Sequence, residues 1–356
     1  MNNRTVTVLG GGGYLGSVLC RQLLREGFYV RCFDLFIFGR DSVKDLTTHP
    51  RFTCVWGDTR QRDAVRRVLD GADAVVHLAS LVGDGSCNVH PALTSSINCD
   101  SCHFIADFCQ RAGVRRLLFS STCSVYGGSS GIVSEDSPTD DSTPYTRTKL
   151  AAEKIFLASK SDTFHPTILR LATVFGTSPR MRFDLAVNVM VAQAEMRRHI
   201  SIFNGQRWRP FIHTADVGRA FIHLLRAPTA AVSSRIFNVG SSHMNLTIGD
   251  LGRRIGRHYL DLEVEEAANN DGRDYRVDFS RIEALGFNCR TTLDDGIREI
   301  ASYVRQHRPN LADSRYNNGL TTKENLGSLL RTREAAVVWA DEAVRREEAP
   351  SLDEAA

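Results

Sequence analysis

Short apolar runs alternate with stretches of helical spacing through the first half of the chain, and this alternation limits the fold more than any other feature. "TVTVLG" leads into "GSVLCRQLLREG", where Val18, Leu19, Leu23 and Leu24 share one face of a helix. "YVRCFD", "FTCVWGD", "AVVHLAS" and "RLLFSS" follow, each ending near small or polar residues, and "TILRLATVFG" continues the series around residue 170. Strand, helix and strand at this spacing predict an α/β chain whose parallel sheet is covered on both faces.

From about residue 180 the pattern loosens into longer connections. The expected organisation is a doubly wound domain over residues 1–178, rejoined by 210–240 through "FIHTADVGRAFIHLLR" and "IFNVGS", with a smaller C-terminal lobe over 179–310. Residues 311–356 read as an extension, where "RTREAAVVWADEAVRREEAPSLDEAA" predicts a peripheral helix and a frayed tail.

With 356 residues, 42% hydrophobic and 24% charged, the composition is that of a soluble globular protein with room for two packed domains. The formal net charge is +3 and no Lys/Arg block reaches five residues, which argues against nucleic acid or a membrane surface as partner. No apolar run approaches the roughly 18 residues of a bilayer span. "MNNRTVTVLG" enters a strand without the apolar core of a signal peptide. The nine cysteines are an odd, scattered set, and the single CxxC, Cys99 with Cys102, lacks a second ligand pair, so no metal site is expected. Such thiols read as reduced, in a cytoplasmic compartment.

Between the first strand and the first helix, "VLGGGGYLGS" spaces Gly10, Gly13 and Gly16 as GxxGxxG. Glycine there permits a tight turn, lets backbone N–H groups approach a pyrophosphate, and turns the positive end of the helix toward it. The second strand-like run ends in Asp34, 18 residues past Gly16. A carboxylate at that place accepts hydrogen bonds from both ribose hydroxyls and repels a 2′-phosphate, so NAD is expected rather than NADP. Arg31 and Arg40 lie close enough in sequence to weaken that preference. Asp58, after the third run, reads either as an adenine contact or as a loop cap. The fold class that follows is a Rossmann-type doubly wound parallel sheet with a smaller C-terminal substrate-binding lobe.

Tyr145 and Lys149 form a YxxxK pair on a predicted helix, where side chains four residues apart share a face. A free tyrosine titrates at about 10 and is a poor base at neutral pH. A lysine ammonium beside it favours the phenolate and can also reach the nicotinamide ribose. Thr122, 23 residues earlier, ends the "RLLFSST" run, and strand ends of a parallel sheet collect at its ligand crevice. Its hydroxyl can bond a substrate oxygen and carry a proton to Tyr145.

Together these motifs resemble the extended short-chain dehydrogenase/reductases of the NAD-dependent epimerase/dehydratase family, over about residues 5–305. "GGGGYLG" is similar to the family's TGGxGxxG, "WGDTRQRD" to its third-strand GD motif, "VVHLAS" to HLAA, and "SINCDS" to the Asn-containing NxxG-type helix. "SSTCSVYG" resembles the serine/threonine motif, "PYTRTK" the PYxxSK pattern, "RPFIHTADV" RDFIHVxDV, and "GRDYRVDFSRIEALGF" the closing RxxD…LGF pattern. The resemblance implies a nucleotide-diphosphate-sugar substrate, bound NAD and a catalytic triad of Thr122, Tyr145 and Lys149. It implies cofactor contacts from Gly10, Gly13, Tyr14, Leu15, Gly16 and Asp34, from Asp58 and Thr59, from Leu78, Ala79 and Ser80, and from Tyr145 and Lys149. Arg209 and Arg273 would grip the substrate diphosphate, with Asn188 in the polar, basic segment "TSPRMRFDLAVN" as a further contact. Asn98 would support the site, and His77 would either run along the cofactor or be a packed strand histidine. A homodimer is implied as well, through the helix carrying Tyr145 and the one starting near Asn98.

Three departures bear on the reaction. Leu9 stands where the family often has threonine, and Ala172 in "RLATVFG" where many relatives have asparagine. Cys123 and Ser124 follow the threonine where dehydratases carry Asp-Glu. A thiol titrating at about 8.5 is an imperfect replacement for a carboxylate acid–base. The reading is thus a nucleotide-sugar epimerase, at C4. A dehydrogenase or reductase, or an unusual dehydratase using Cys123, stays open. A non-catalytic NAD-binding regulatory protein on this fold would show a broken triad, whereas all three residues are present.

Overall fold

The computed structural model describes residues 4–268 and 271–331, so the charged stretch beyond Arg331, with its predicted helix and tail, lies outside the described residues. Seven strands form the main sheet: β1 (Thr5–Leu9), β2 (Tyr29–Asp34), β3 (Phe52–Trp56), β4 (Ala74–His77), β5 (Arg116–Thr122), β6 (His165–Leu171) and β7 (Ile236–Val239). They run parallel in the order β7-β6-β5-β4-β1-β2-β3. The order reverses between β1 and β4, which opens a crevice at their carboxyl ends.

Helices cover both faces because the strand residues are apolar on both. On one face Val6, Val8 and Val30 pack with Leu19, Leu23 and Leu24 of the first helix, Tyr14–Arg25. On the other, Leu9, Val75, Leu117 and Ile168 pack with Val65, Ile105 and Phe156. Each such side chain contributes about 1.5–3 kcal/mol by leaving water. Val18, expected on the same helix face, is only partly buried, and Cys20 takes the buried position instead.

"TILRLATVFG" is not one strand. The chain leaves the main sheet after Leu171, where the Ala172 N–H still donates to the Val239 carbonyl, and Thr173–Phe175 begins a second sheet. That short strand pairs with Trp208–His213, which in turn pairs with Asn245–Thr247. The "FIH" run therefore belongs to this small sheet and not the main one, while the helix behind it, Thr214–Arg226, packs on the first helix.

The second lobe has its own core. Phe175, Met190, Val191, Ile200, Phe211 and Leu251 pack against Ile297 and Ile300 of the helix Leu293–His307. The chain then returns across the crevice. Helices Asn318–Glu324 and Leu326–Leu330 lie over the loop after β4, where Gly319 approaches Gly85 so closely that an added Cβ would meet the Gly85 carbonyl at 3.1 Å. Leu329 shares an apolar cluster with Leu81, Cys87, Ile97 and Tyr145. Among the described residues no helix is long and apolar enough to cross a membrane.

Candidate active site

A cavity of about 810 Å³ occupies the crevice. Gly10, the residue after β1, has φ +87, and a Cβ there would meet the Ala79 nitrogen at 2.5 Å, so the turn needs glycine. A Cβ on Gly16 would collide with the Gly10 carbonyl. The first helix starts after Gly13 with no side-chain cap and no acidic residue in its first turn, leaving its N–H groups to the cavity. At the end of β2 the Asp34 carboxylate accepts from the Gly12 N–H at 2.9 Å and the Phe36 N–H at 2.7 Å, which fixes its orientation. Burial raises its pKa, opposed by those N–H groups and by Arg180. These features fit a dinucleotide: an uncapped helix end for the pyrophosphate, an oriented carboxylate for the ribose.

All thirteen residues expected to touch the cofactor line this cavity. Asp58 is there too, and both its oxygens accept from Arg60, at 3.0 Å and 2.5 Å for Oδ2, so its carboxylate also anchors the loop. Arg31 donates to the carbonyls of Val68 and Asp70 and does not face Asp34. The cation that does is Arg180.

Tyr145 sits in the first turn of the helix Pro144–Ala158, started by Pro144 and by a reciprocal cap between Thr143 and Thr146. Burial raises the Tyr145 pKa; the Thr122 hydroxyl, Arg182 and Arg273 pull it back down. Lys149, one turn on, is 3% exposed and donates to the Ser120 carbonyl at 2.9 Å, with its ammonium 4.8 Å from the Phe119 ring. Burial lowers its pKa to about 8. Arg182 and Arg273, both from the second lobe, thus add positive charge near the phenol, besides Lys149 on the same helix. Thr122 caps the turn after β5 by accepting from the Ser124 N–H at 3.1 Å.

The Tyr145 helix is fixed from two sides. Asn98, in a π-helical turn, accepts from the Leu81 N–H at 2.8 Å and donates to the Leu81 carbonyl at 2.9 Å and to Thr148 at 3.3 Å. Glu153 accepts a fork from Arg170 of β6, at 3.1 and 2.8 Å, and both side chains are buried. His77 is packed between Phe119 and Phe156, with its pKa lowered to about 3 by burial, and it does not line the cavity.

Two expected site residues do not reach the cavity. The Cys123 thiol turns into the sheet and donates to the Arg170 carbonyl at 3.3 Å; burial pushes its pKa up, and Ser124 lines the cavity beside it. Cys123 opens the short helical turn Cys123–Tyr126 directly after β5. Asn188 is fully buried: it accepts from the Gly176 N–H at 3.0 Å and donates to Tyr14 at 3.0 Å and to the Arg182 carbonyl at 2.8 Å. Its position inside the helix Ala186–Arg197 makes it a brace for the turn after Thr173–Phe175 rather than a diphosphate ligand.

Arg209 and Arg273 both line the cavity and share Asp271. Arg273 meets it with a fork at 2.8 Å on each oxygen, and Arg209 lies 3.1 Å from Oδ2. The shared carboxylate pulls the two guanidinium groups together, and they hold its pKa far below the usual range. Among the lining residues that the sequence did not mark are Arg180, Arg182 and Asn318. The basic segment "TSPRMRFDLAVN" was the signal for the first two. No motif marked Asn318.

The match of the NAD dependent epimerase/dehydratase family model spans residues 6–240. An uncharacterized UDP-glucose epimerase of Bacillus subtilis (strain 168), YtcB, is 28% identical over 84% of this chain and 97% of its own length. The dTDP-glucose 4,6-dehydratase of Streptomyces griseus is 26% identical over 85% of this chain and 94% of its own. Among solved structures, MoeE5 in complex with UDP-glucuronic acid and NAD superposes with a TM-score of 0.74 at 26% identity, covering 85% of this chain and 99% of that one. The chain belongs to the NAD-dependent epimerase/dehydratase family of enzymes, whose cofactor is NAD.

Proposed function

We propose that this enzyme is a nucleotide-sugar epimerase acting at C4. The observation that carries the reading is the grouping of Thr122, Tyr145 and Lys149 on one cavity with the glycine cradle, while Cys123 turns away from it. NAD, when bound, supplies the capacity to accept a hydride and to give it back. The chain's own groups handle the proton and the orientation. Tyr145 takes the proton of the sugar hydroxyl, aided by Thr122 and by the positive field of Arg182 and Arg273. It returns that proton when the keto-sugar is reduced from its other face.

Elimination at C6 needs an acid and a base beside the threonine, and neither position supplies them. Ser124 offers only a hydroxyl to the cavity. The names of relatives divide between epimerase and dehydratase, and this pair of residues favours the first. Arg209 and Arg273 hold the diphosphate of the substrate, with Asp271 setting their spacing.

Proton NMR in deuterated water, with UDP-, dTDP-, GDP- and CDP-sugars and added NAD, tests the reading. Inversion at C4 without deuterium at that carbon and without net NADH is the expected result. Loss of the C6 hydroxyl, or NADH formed in proportion to product, overturns it in favour of a dehydratase or a dehydrogenase.

A further inference from the structure

Arg180 is a buried cation that forms no ion pair among the described residues, Asp184 being paired with Arg182. Its side chain is 5% exposed, and neither Nε nor Nη2 has a hydrogen-bond partner among the described residues. The guanidinium lies flat on Phe38, 3.5 Å from the ring centroid, and lines the cavity. A guanidinium carries five N–H donors, and burying it unpaired is costly. Burial and the neighbouring Arg182 lower its pKa to about 9, despite Asp34 and Asp184.

Its backbone is tied to the cofactor end of the cleft. The Arg180 N–H donates to the Ser178 hydroxyl at 3.2 Å; that hydroxyl donates to the Tyr14 carbonyl at 2.7 Å and lies 3.1 Å from Ser17. Tyr14 and Ser17 form the first turn of the helix whose N-terminus is uncapped. A helix N-terminus and an unpaired guanidinium therefore converge on one part of the cavity, each calling for negative charge. Phe38 fixes the plane of the guanidinium, so its edge is presented to a ligand at little cost in order.

We propose that Arg180 binds the pyrophosphate of the dinucleotide, closing from the second lobe onto the anion that the first helix holds from below. Two other anions fit this guanidinium less well. A 2′-phosphate at the ribose would face the Asp34 carboxylate, which the Gly12 and Phe36 N–H groups lock in place. The substrate diphosphate has Arg209 and Arg273, which share Asp271. The proposal rests on the NAD reading of the cleft, which the test separates.

The test is calorimetric titration of the cofactor-stripped protein and its Arg180→Gln and Arg180→Lys variants with NAD, ADP-ribose, adenosine, NADP and UDP. Losing charge-assisted hydrogen bonds predicts NAD and ADP-ribose binding about tenfold to a hundredfold weaker in Arg180→Gln, partly recovered in Arg180→Lys, with adenosine and UDP unchanged. Without ligand, Arg180→Gln should melt no lower than the unaltered chain, since an unpaired charge has been removed. A loss confined to UDP, or to NADP, overturns the proposal in favour of the substrate diphosphate or the 2′-phosphate. Equal weakening of adenosine and ADP-ribose, or a lower melting point without ligand, makes Arg180 a structural residue and overturns it as well. If the unaltered chain binds neither NAD nor adenosine, the cofactor reading itself falls, and this role with it.

Discussion

Lys149 gives its ammonium to the Ser120 carbonyl at 2.9 Å, not to Tyr145 one turn earlier on the same helix. The lysine thus enters the cleft as a buried cation, held by the end of β5 and by the Phe119 ring.

That burial has a pH signature. The folded pKa is about 8, below the value of about 10.4 for a free lysine. Between the two, the unfolded chain holds a proton that the folded chain has released, so this group's contribution to stability rises with pH across that window. Below about pH 8 both states are charged and the desolvation penalty is paid in full. Thermal or urea unfolding of the protein and of Lys149→Met, compared at several pH values, should show the unaltered chain gaining on the variant by up to about 3 kcal/mol from pH 7 to 10. A difference that stays constant with pH would mean that the ammonium is not desolvated.

Cys123 is the residue on which the dehydratase alternative depends, and its thiol is bonded to the Arg170 carbonyl inside the sheet. Cys123→Ala should leave turnover within about twofold and the pH profile unmoved, because no proton passes through a group that does not face the cavity. Tyr145→Phe should instead lower turnover by about 10²–10⁴ while leaving nucleotide-sugar affinity nearly intact. Rates from the NMR assay, with affinities by calorimetry, check both. A Cys123→Ala defect as large as that of Tyr145→Phe would bring elimination chemistry back.

One side of the Tyr145 helix is held by a buried ion pair. Glu153 takes the Arg170 fork, accepts from Ser121, and is 3% exposed. Removing the carboxylate leaves a guanidinium buried against Tyr126 without its counter-charge. Glu153→Ala should therefore cost about 3–5 kcal/mol of folding stability, read from urea unfolding, far more than loss of a surface pair such as Arg111 with Asp107. A change under 1 kcal/mol would show that the pair's desolvation already cancels its attraction.

What could be read from the sequence follows the range of each interaction. Strand and helix periodicity is local, and Gly10, Gly16, Asp34 and Tyr145 are held in place by their own turns and strand ends, so they were legible. Direction across a strand end was not: Cys123 and Ser124 differ by one residue and by which side of the sheet they face. Asn188 stands out as the polar residue of a basic segment, but it lies inside the helix Ala186–Arg197 and is buried, whereas Arg180 and Arg182, in the loop before that helix, line the cavity. The break of "TILRLATVFG" at Ala172 depends on pairing with Trp208–His213, more than thirty residues away, which no local pattern encodes. Asn318 reaches the cleft only because the chain crosses back over it.

That crossing makes a prediction of its own. Leu329 is 2% exposed in the cluster that holds Leu81 and Tyr145, and the Asn318 N–H is tied to Asp184 at 3.0 Å. Leu329 is the buried residue of the short helix Leu326–Leu330, so its burial, worth about 1.5–3 kcal/mol, holds that end of the segment closed. Leu329→Asp should loosen it locally without unfolding the sheet. Limited proteolysis followed by mass spectrometry should find cleavage within residues 313–331 at least about tenfold faster, while the main melting transition shifts little. Cleavage at an unchanged rate would mean that other contacts hold the segment; a collapse of the main transition would make it part of the core rather than a cover on the cleft.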